Sequence, residues 1–148
     1  MFFLNNSFAF LGDAYIARGS YSAALKAFQR ALELNPNSIY ATYQAATVKK
    51  ILGELAVAVE DFEALVEREP NYLPALKGLA DALLCQADEY LLDGFTGRVV
   101  DCYSRAMNVL VKAAQQAPHY ACLWSLLGQI SLMLWAIPDK DFSALRFP

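Results

Sequence analysis

The amino-acid sequence predicts an all-α solenoid, in which a pair of antiparallel helices is repeated about three and a half times along 148 residues. Apolar residues recur at the three-to-four spacing of an amphipathic helix. The residues that mark the first helix pair return 34 positions later, and each complete pair is followed by a proline. We interpret residues 1–148 as one domain with repeats at residues 5–38, 39–72, 73–120 and an incomplete repeat at 121–137.

The first repeat contains two amphipathic stretches, Ser7 to Arg18 and Ser20 to Leu34. Gly19 separates them, because glycine can take the left-handed conformation that ends a helix. We expect the hydroxyl of Ser20 to cap the second helix. That helix is expected to stop before Pro36, since proline disfavours a helical conformation in the preceding residue and has no N–H to donate.

Small and large residues alternate in this repeat as a helix pair requires. Gly12 and Ala24 are small where the helices approach closely, while Tyr15 and Phe28 are bulky and fill the space beside that contact. Their order resembles the tetratricopeptide repeat, although Phe8 stands where tryptophan is commonest. The resemblance implies a right-handed superhelical solenoid. The matching positions are Leu11, Gly12, Tyr15, Gly19, Ala24, Phe28, Ala31 and Pro36.

The second repeat keeps the 34-residue spacing, with Gly53, Ala58, Phe62 and Pro70 each following their counterparts in the first. Its first helix, predicted from Ser38 to Leu52, departs from the signature. In particular, Lys49 stands where the first repeat has Tyr15. The second helix, predicted from Glu54 to Glu67, matches better.

The third repeat is longer than the others, because its terminal proline is Pro118 rather than a residue near position 104. Ala106 matches Ala24 when the repeat is aligned from Pro118, so the second helix is intact and the insertion lies between the two helices. We predict a long helix from Leu73 to Leu92 and a loop over residues 93–97. The resulting hairpin is either a partner contact or a lengthened passive element.

The fourth repeat has Trp124, Leu127 and Gly128 in the register of its first helix, and residues 139–148 show no second-helix pattern. Residues 121–138 contain no charge, which would also suit a membrane span. We favour an uncapped solenoid end, because the repeat register explains the same apolarity. Such an end implies a fragment or short form of a longer array, and in isolation it can self-associate.

Composition and motifs argue against enzymatic, metal and nucleic-acid functions. The net charge of −3 and pI near 5.1 give no reason to expect nucleic-acid binding. Three widely spaced cysteines, Cys85, Cys102 and Cys122, suggest reduced thiols in a cytoplasmic or nuclear chain. His119 and Cys122 do not make a zinc site, and no nucleophilic triad or phosphate loop is present. We expect no catalytic residues, no metal and no cofactor.

The tetratricopeptide resemblance implies a groove lined by the first helices of successive repeats, where partner proteins bind. The positions that this register assigns to a partner groove are Asn6, Ala9, Asp13, Tyr40, Tyr43, Gln44, Lys77, Asp81, Ser125 and Gln129. Tyr40 and Tyr43 are the best anchors, although packing against a neighbouring helix is an equal alternative. The cationic clamp of chaperone-binding relatives is absent, and Asp13 at one of its positions would repel a terminal carboxylate.

A closer resemblance is carried by the order of segments: LGDAYIARGSYSAALKAFQRALELNPNSIYA, ILGELAVAVEDFEALV, YLPALKGLADALL, the long hairpin and CLWSLLGQISLMLWAIPDK. Together they resemble the large tetratricopeptide scaffold subunit of the superkiller complex. That family implies a cytoplasmic, non-catalytic scaffold that holds a helicase and propeller subunits for 3′-to-5′ messenger RNA decay by the exosome. A generic peptide-binding adaptor is the alternative.

Overall fold

The computed structural model describes residues 2–137, which form helices and no strand. The all-α class predicted from the sequence is therefore confirmed. The helices are α1 (Phe2–Ala17), α2 (Tyr21–Leu34), α3 (Ile39–Ile51), α4 (Leu55–Arg68), α5 (Leu73–Leu92), α6 (Thr96–Gln116) and α7 (Ala121–Ala136). At most helix ends, the predicted bound lies one residue from the observed bound. The exception is α1, which begins five residues before the predicted start at Ser7.

The helices fall into two compact units, Met1–Arg68 and Glu69–Pro148. In the first unit α1, α2 and α3 each pack against the helix that follows them in the chain. In the second unit α6 packs against both α5 and α7. The division lies close to the predicted boundary between the second and third repeats, and the single-domain interpretation stays a prediction.

The core of the first unit is built around the contact between Gly12 and Phe28. The ring of Phe28 is fully buried and lies directly over Gly12, where any side chain would collide with it. Ala24, also fully buried, keeps α2 close to α1. The half-buried rings of Tyr15 and Tyr21 pack against this cluster. By contrast, Leu11 is 43% exposed, because one residue turns it about 100° around the helix from Gly12.

Glycines in the left-handed region end the first helix of each repeat in this unit. Gly19 has φ of 76° and Gly53 has φ of 87°, conformations that glycine adopts without strain. The prediction for Ser20 is wrong, since its hydroxyl makes no capping hydrogen bond to α2. Its φ and ψ of −89° and 68° lie outside the β region that an N-cap normally takes. Ser38 does cap a helix, accepting a hydrogen bond from the N–H of Ala41.

An ion pair joins the two helices of the second repeat. Lys49 Nζ lies 2.6 Å from Asp61 Oδ2, and the two side chains are 20% and 33% exposed. Lys49 occupies the position that Tyr15 has in the first repeat. A partly buried charge pair on α3 and α4 thus stands where the first repeat uses an aromatic contact.

The long hairpin of the second unit places its extra residues in helices instead of in a loop. α5 has 20 residues and α6 has 21, whereas the helices of the first unit have 13 to 16. Only residues 93–95 connect them, with Gly94 at φ of 78°. Gly97, predicted as loop, belongs to α6. The short connection forces α5 and α6 to pack along their length, and Leu83, Val99 and Leu110 are fully or almost fully buried.

The last described helix, α7, buries Leu123, Ile130 and Leu134 and exposes much of its remaining apolar surface. Within residues 2–137, no helix combines the length and apolarity that a membrane crossing requires. The predicted absence of a second helix in residues 139–148 falls outside the described residues.

Candidate protein-binding surfaces

The strongest candidate surface is a polar cluster between α1 and α3, the first helices of the first two repeats. The hydroxyl of Tyr40 lies 2.9 and 2.8 Å from the two carboxylate oxygens of Asp13, to which it donates. Gln44 Nε2 donates to Asp13 Oδ1 and to the Tyr40 hydroxyl oxygen, both at 3.0 Å. Asp13 therefore joins the two predicted groove positions Tyr40 and Gln44 into one hydrogen-bonded unit.

This cluster fixes an exposed aromatic ring. Tyr40 is 43% exposed, while its hydroxyl is held by Asp13 and Gln44. A ring that is already ordered loses little conformational entropy when a partner covers it. Asp13 also makes the cluster anionic, which favours hydrogen-bond donors and disfavours a partner's carboxylate.

Tyr43, the second predicted anchor, serves mainly to pack helices. It is half-buried, and its ring lies 6.1 Å from the ring of Phe62 on α4, with the planes inclined by 59°. The structure therefore favours helix packing, the alternative left open for this residue, over an exposed anchor. In the second unit, the predicted positions Lys77 and Asp81 lie on α5, with Lys77 exposed and Asp81 half-buried.

Phe10 was missed by the sequence analysis and belongs to the same surface. It precedes Gln44 by 34 residues and so shares its repeat register. It also precedes Asp13 by three residues, so the two side chains are neighbours on the surface of α1. Its side chain is 71% exposed. The sequence did contain a signal for this residue, because Phe10 is an aromatic residue at a groove position and does not belong to the apolar stripe that α1 buries. We call Phe10, Asp13, Tyr40 and Gln44 the α1–α3 surface.

The tip of the α5–α6 hairpin carries a second aromatic cluster. The rings of Tyr90 and Phe95 meet edge to face at 6.4 Å, and the guanidinium of Arg98 lies 5.4 and 5.2 Å from their centroids. These cation–π contacts order the loop. Leu92 beside them is 89% exposed. The tip therefore presents apolar area on an ordered turn.

Among the described residues, neither the buried thiol of Cys102 nor a cavity lined by α5, α6 and α7 has the features of a reactive centre. Burial raises the pKa of the Cys102 thiol, with Asp101 adding to the effect, which lowers the fraction of reactive thiolate. It lies 3.8 Å from Gln86 Oε1, to which it donates. Within residues 2–137, no cluster of histidine, cysteine and carboxylate residues could hold a metal ion. A cavity of about 290 Å³ is lined by Leu91, Thr96, Val99, Tyr103, Met133, Ala136 and Ile137.

Comparison with known proteins shows that the chain is similar to tetratricopeptide repeat (TPR) proteins. A family described as TPR repeat matches residues 12–50. Tetratricopeptide repeat protein 37 of Xenopus laevis is 39% identical over 137 residues, which are 93% of this chain and 9% of that protein. Superkiller complex protein 3 of Homo sapiens is 38% identical over 136 residues, which are 91% of this chain and 9% of that protein. The chain thus spans less than a tenth of the length of these curated relatives.

A solved structure shares the fold. A thermophilic TPR protein of Thermus thermophilus superposes with a TM-score of 0.78 at 30% sequence identity. The match covers 88% of this chain and 66% of that one. The helix-pair architecture seen here is therefore the one that a TPR protein adopts.

Proposed function

Because the chain is a tetratricopeptide repeat protein that resembles a segment of superkiller complex protein 3, we propose that it is a protein-binding part of that scaffold. On this proposal it is non-catalytic and cytoplasmic, and it supports messenger RNA decay by the exosome without touching RNA itself. Its partners are the helicase and propeller subunits of the complex. The similarity over 91% of this chain supports the proposal.

The α1–α3 surface is the observation that carries a binding role. Phe10 and Tyr40 offer exposed aromatic area, and aromatic side chains are enriched among residues that dominate binding energy. The Tyr40 ring is held before any partner arrives, since its hydroxyl both donates to Asp13 and accepts from Gln44. Preorganisation of this kind raises affinity by lowering the entropy lost on binding.

The chemistry of this surface defines the kind of segment it would bind. The Asp13 carboxylate accepts hydrogen bonds, so a partner must supply N–H donors from its backbone or from lysine and arginine side chains. The two aromatic rings call for an apolar side chain nearby. An extended or helical segment with one apolar anchor and adjacent donors fits both demands.

The experiment is affinity capture from eukaryotic cytosol with the full chain as bait, read by mass spectrometry. The test bait is Phe10→Ala/Tyr40→Ala, which leaves the Tyr43 contact with Phe62 intact. The matched control is Val57→Ala on α4, whose side chain is 42% exposed, close to the 43% of Tyr40. Circular dichroism of all three baits checks that each is folded.

We expect the parent and the Val57→Ala bait to recover superkiller helicase and propeller subunits, and the double variant to lose at least about tenfold of that recovery. Equal recovery by the double variant would remove the α1–α3 surface from the proposal. Failure of the folded parent to recover those subunits would contradict the scaffold role.

The alternative is a peptide-binding adaptor unrelated to RNA decay. The same surface supports it, because nothing in Phe10 or Tyr40 is specific to one complex. The capture experiment separates the two. An adaptor would recover a defined protein outside the superkiller complex, and that recovery would fall with Phe10→Ala/Tyr40→Ala.

A further inference from the structure

The turn that ends α5 has the same backbone hydrogen-bond pattern as the turns that end α1 and α3. The N–H of Phe95 donates to the carbonyl oxygen of Tyr90 at 2.9 Å. The N–H of Gly94 donates to the carbonyl oxygen of Leu91 at 3.2 Å. This is a Schellman motif, which is often accompanied by an apolar contact between its end residues. Here the rings of Tyr90 and Phe95 make that contact, so the turn itself accounts for both aromatic residues.

The charges at the end of α5 are opposite to those at the ends of α1 and α3. Arg18 directly follows α1, and α3 has Lys49 and Lys50 in its last turn. Cations are stabilising there, because the C-terminal end of a helix dipole is negative. The end of α5 carries three carboxylates instead: Asp88, Glu89 and Asp93. Within the described part of the chain they form no ion pair, so helix stability does not account for them.

Leu92 lies among these carboxylates. It is 89% exposed, the largest fraction among the large apolar side chains that the structure describes. Leu92 follows Asp88 by four residues and Glu89 by three, so both carboxylates are its neighbours on the helix surface. Asp93 follows it directly. We call Asp88, Glu89, Leu92 and Asp93 the acidic tip.

We infer that the acidic tip binds an amphipathic helix of a partner protein, in which lysine or arginine residues flank an apolar stripe. Leu92 inserts between apolar side chains of that stripe, as a knob inserts into a hole between helices. The flanking basic side chains pair with the three carboxylates. Arg98 holds the turn in order through its contacts with Tyr90 and Phe95, so little entropy is lost on binding.

Charge argues against two other occupants of the acidic tip. The tip of a second copy would bring three carboxylates against three, which is repulsive. Leu92 could also enter a lipid bilayer, but the neighbouring carboxylates are repelled by anionic headgroups and are costly to take out of water. A basic partner helix satisfies both the leucine and the carboxylates.

The probe is a synthetic amphipathic peptide of about 18 leucine and lysine residues, long enough to form a helix. Its control has glutamate in place of every lysine. Each peptide is titrated into the full chain labelled with nitrogen-15, and amide signals are followed by nuclear magnetic resonance. The lysine peptide should shift the signals of Gly94 and Gly97 and leave that of Gly12 unchanged, and the glutamate peptide should shift none of them.

The leucine contact is tested with Leu92→Ser, which should fold because the side chain is exposed. Its affinity for the lysine peptide should fall at least about fivefold, since the apolar contact is lost. Leu4→Ser on α1 is the matched control, because it also removes an exposed leucine, and it should bind like the parent. Circular dichroism checks that both variants are folded.

The charge contribution is tested with Asp88→Asn/Glu89→Gln, which should weaken binding of the lysine peptide about fivefold at low salt. Glu60→Gln/Glu67→Gln on α4 is the matched control, since it removes the same number of exposed carboxylates and changes the net charge equally. It should bind like the parent. Equal losses in the two double variants would show only a general attraction to the acidic chain and would overturn the inference.

Further results would also overturn it: no binding by the parent, equal binding of the glutamate peptide, or unchanged affinity in Leu92→Ser. Shifts at Gly12 instead of Gly94 would assign the peptide to the first unit. Sedimentation with phosphatidylcholine vesicles that Leu92→Ser abolishes would make lipid the occupant, and a parent dimer that Leu92→Ser dissociates would make it a second copy. The inference does not rest on the proposed function, because neither the superkiller subunits nor the α1–α3 surface enters the test.

Discussion

Phe28 lies so close to the backbone of Gly12 that an ideal β-carbon on Gly12 would be 2.5 Å from Phe28 Cζ. Two further ring atoms, Cε1 and Cε2, would lie at 2.7 and 2.8 Å. Because the ring is fully buried, it cannot move aside into solvent. The separation of α1 and α2 is thus set by the absence of a side chain at one position.

Gly12→Ala should lower the free energy of unfolding by about 1 to 3 kcal/mol, since the added methyl group must displace a buried ring. Gly128→Ala is the matched control at the same repeat position. Its β-carbon meets nothing, so alanine should raise the stability of α7 by about 0.5 to 1 kcal/mol. Urea unfolding followed by circular dichroism measures both. Effects of equal sign at the two glycines would contradict the packing described here.

Phe28→Ala should cost about 3 to 5 kcal/mol, because a fully buried ring leaves a cavity between α1 and α2. Phe10→Ala provides the comparison, since a 71% exposed ring contributes little and its loss should change stability by less than about 0.5 kcal/mol. Ala24→Leu should cost about 1 to 3 kcal/mol by overpacking the same interface. Thermal melts of the three variants rank these effects, and a Phe28→Ala melt matching the parent would refute the repeat register.

The helix pairs were predictable because they depend on neighbouring residues. Gly19 and Gly53 end helices through their own backbone conformation, and Pro36 acts on the residue just before it. The long hairpin was predictable for the same reason, since the delay to Pro118 measures the inserted length. Ser20 shows the limit of local reasoning, because a residue suited to capping still needs the right φ and ψ, and the turn after Gly19 does not give them.

Contacts between distant residues were less accessible from the sequence. The Asp13 cluster joins residues 27 and 31 positions apart, and no local pattern signals that Tyr40 and Gln44 share one carboxylate. Lys49 was recognised only as a departure from the signature. Its partner Asp61 lies on the next helix, so the ion pair between them can be identified only from the packing of α3 against α4.

Asp61→Asn should lower the free energy of unfolding by about 1 kcal/mol, because it removes the charge that Lys49 meets in a partly buried site. Glu33→Gln is the control, since Glu33 pairs with Arg30 where both side chains are at least 60% exposed, and the expected change is below about 0.5 kcal/mol. Urea unfolding in low and high salt measures the difference. Equal losses in the two variants would show that Lys49 and Asp61 contribute no more than a surface pair.

The hydroxyl of Tyr103 is buried without a hydrogen-bond partner among the described residues, in a side chain that is 1% exposed. An unsatisfied buried hydroxyl is destabilising, so Tyr103→Phe should raise the free energy of unfolding by about 1 kcal/mol near neutral pH. Tyr21→Phe, at the equivalent repeat position but half-buried, should stay within about 0.5 kcal/mol of the parent. Loss of stability in Tyr103→Phe would reveal a partner for the hydroxyl.

The same substitution has a second consequence at high pH. Burial, with Asp88 and then Cys102 adding to it, raises the pKa of Tyr103 above its ordinary value of 10.0. The folded state therefore holds this proton more tightly than the unfolded state. Its contribution to stability is complete below pH 10.0 and is lost as pH rises through the higher folded pKa. The pKa of Cys102 is raised from 9.0, so its ionisation also lowers the stability of the fold as the pH rises, and this loss begins at a lower pH than that of Tyr103.

We therefore expect the parent to lose stability as the pH rises above 9.0, where the unfolded Cys102 begins to ionise, and Tyr103→Phe to lose less of it above pH 10.0. Urea unfolding at several alkaline pH values measures the slopes, with Tyr21→Phe as the control. Parallel curves for the parent and Tyr103→Phe would mean that the phenol titrates alike in the folded and unfolded chain. That result would place the hydroxyl in contact with water and would equally remove the reason for expecting Tyr103→Phe to be more stable at neutral pH.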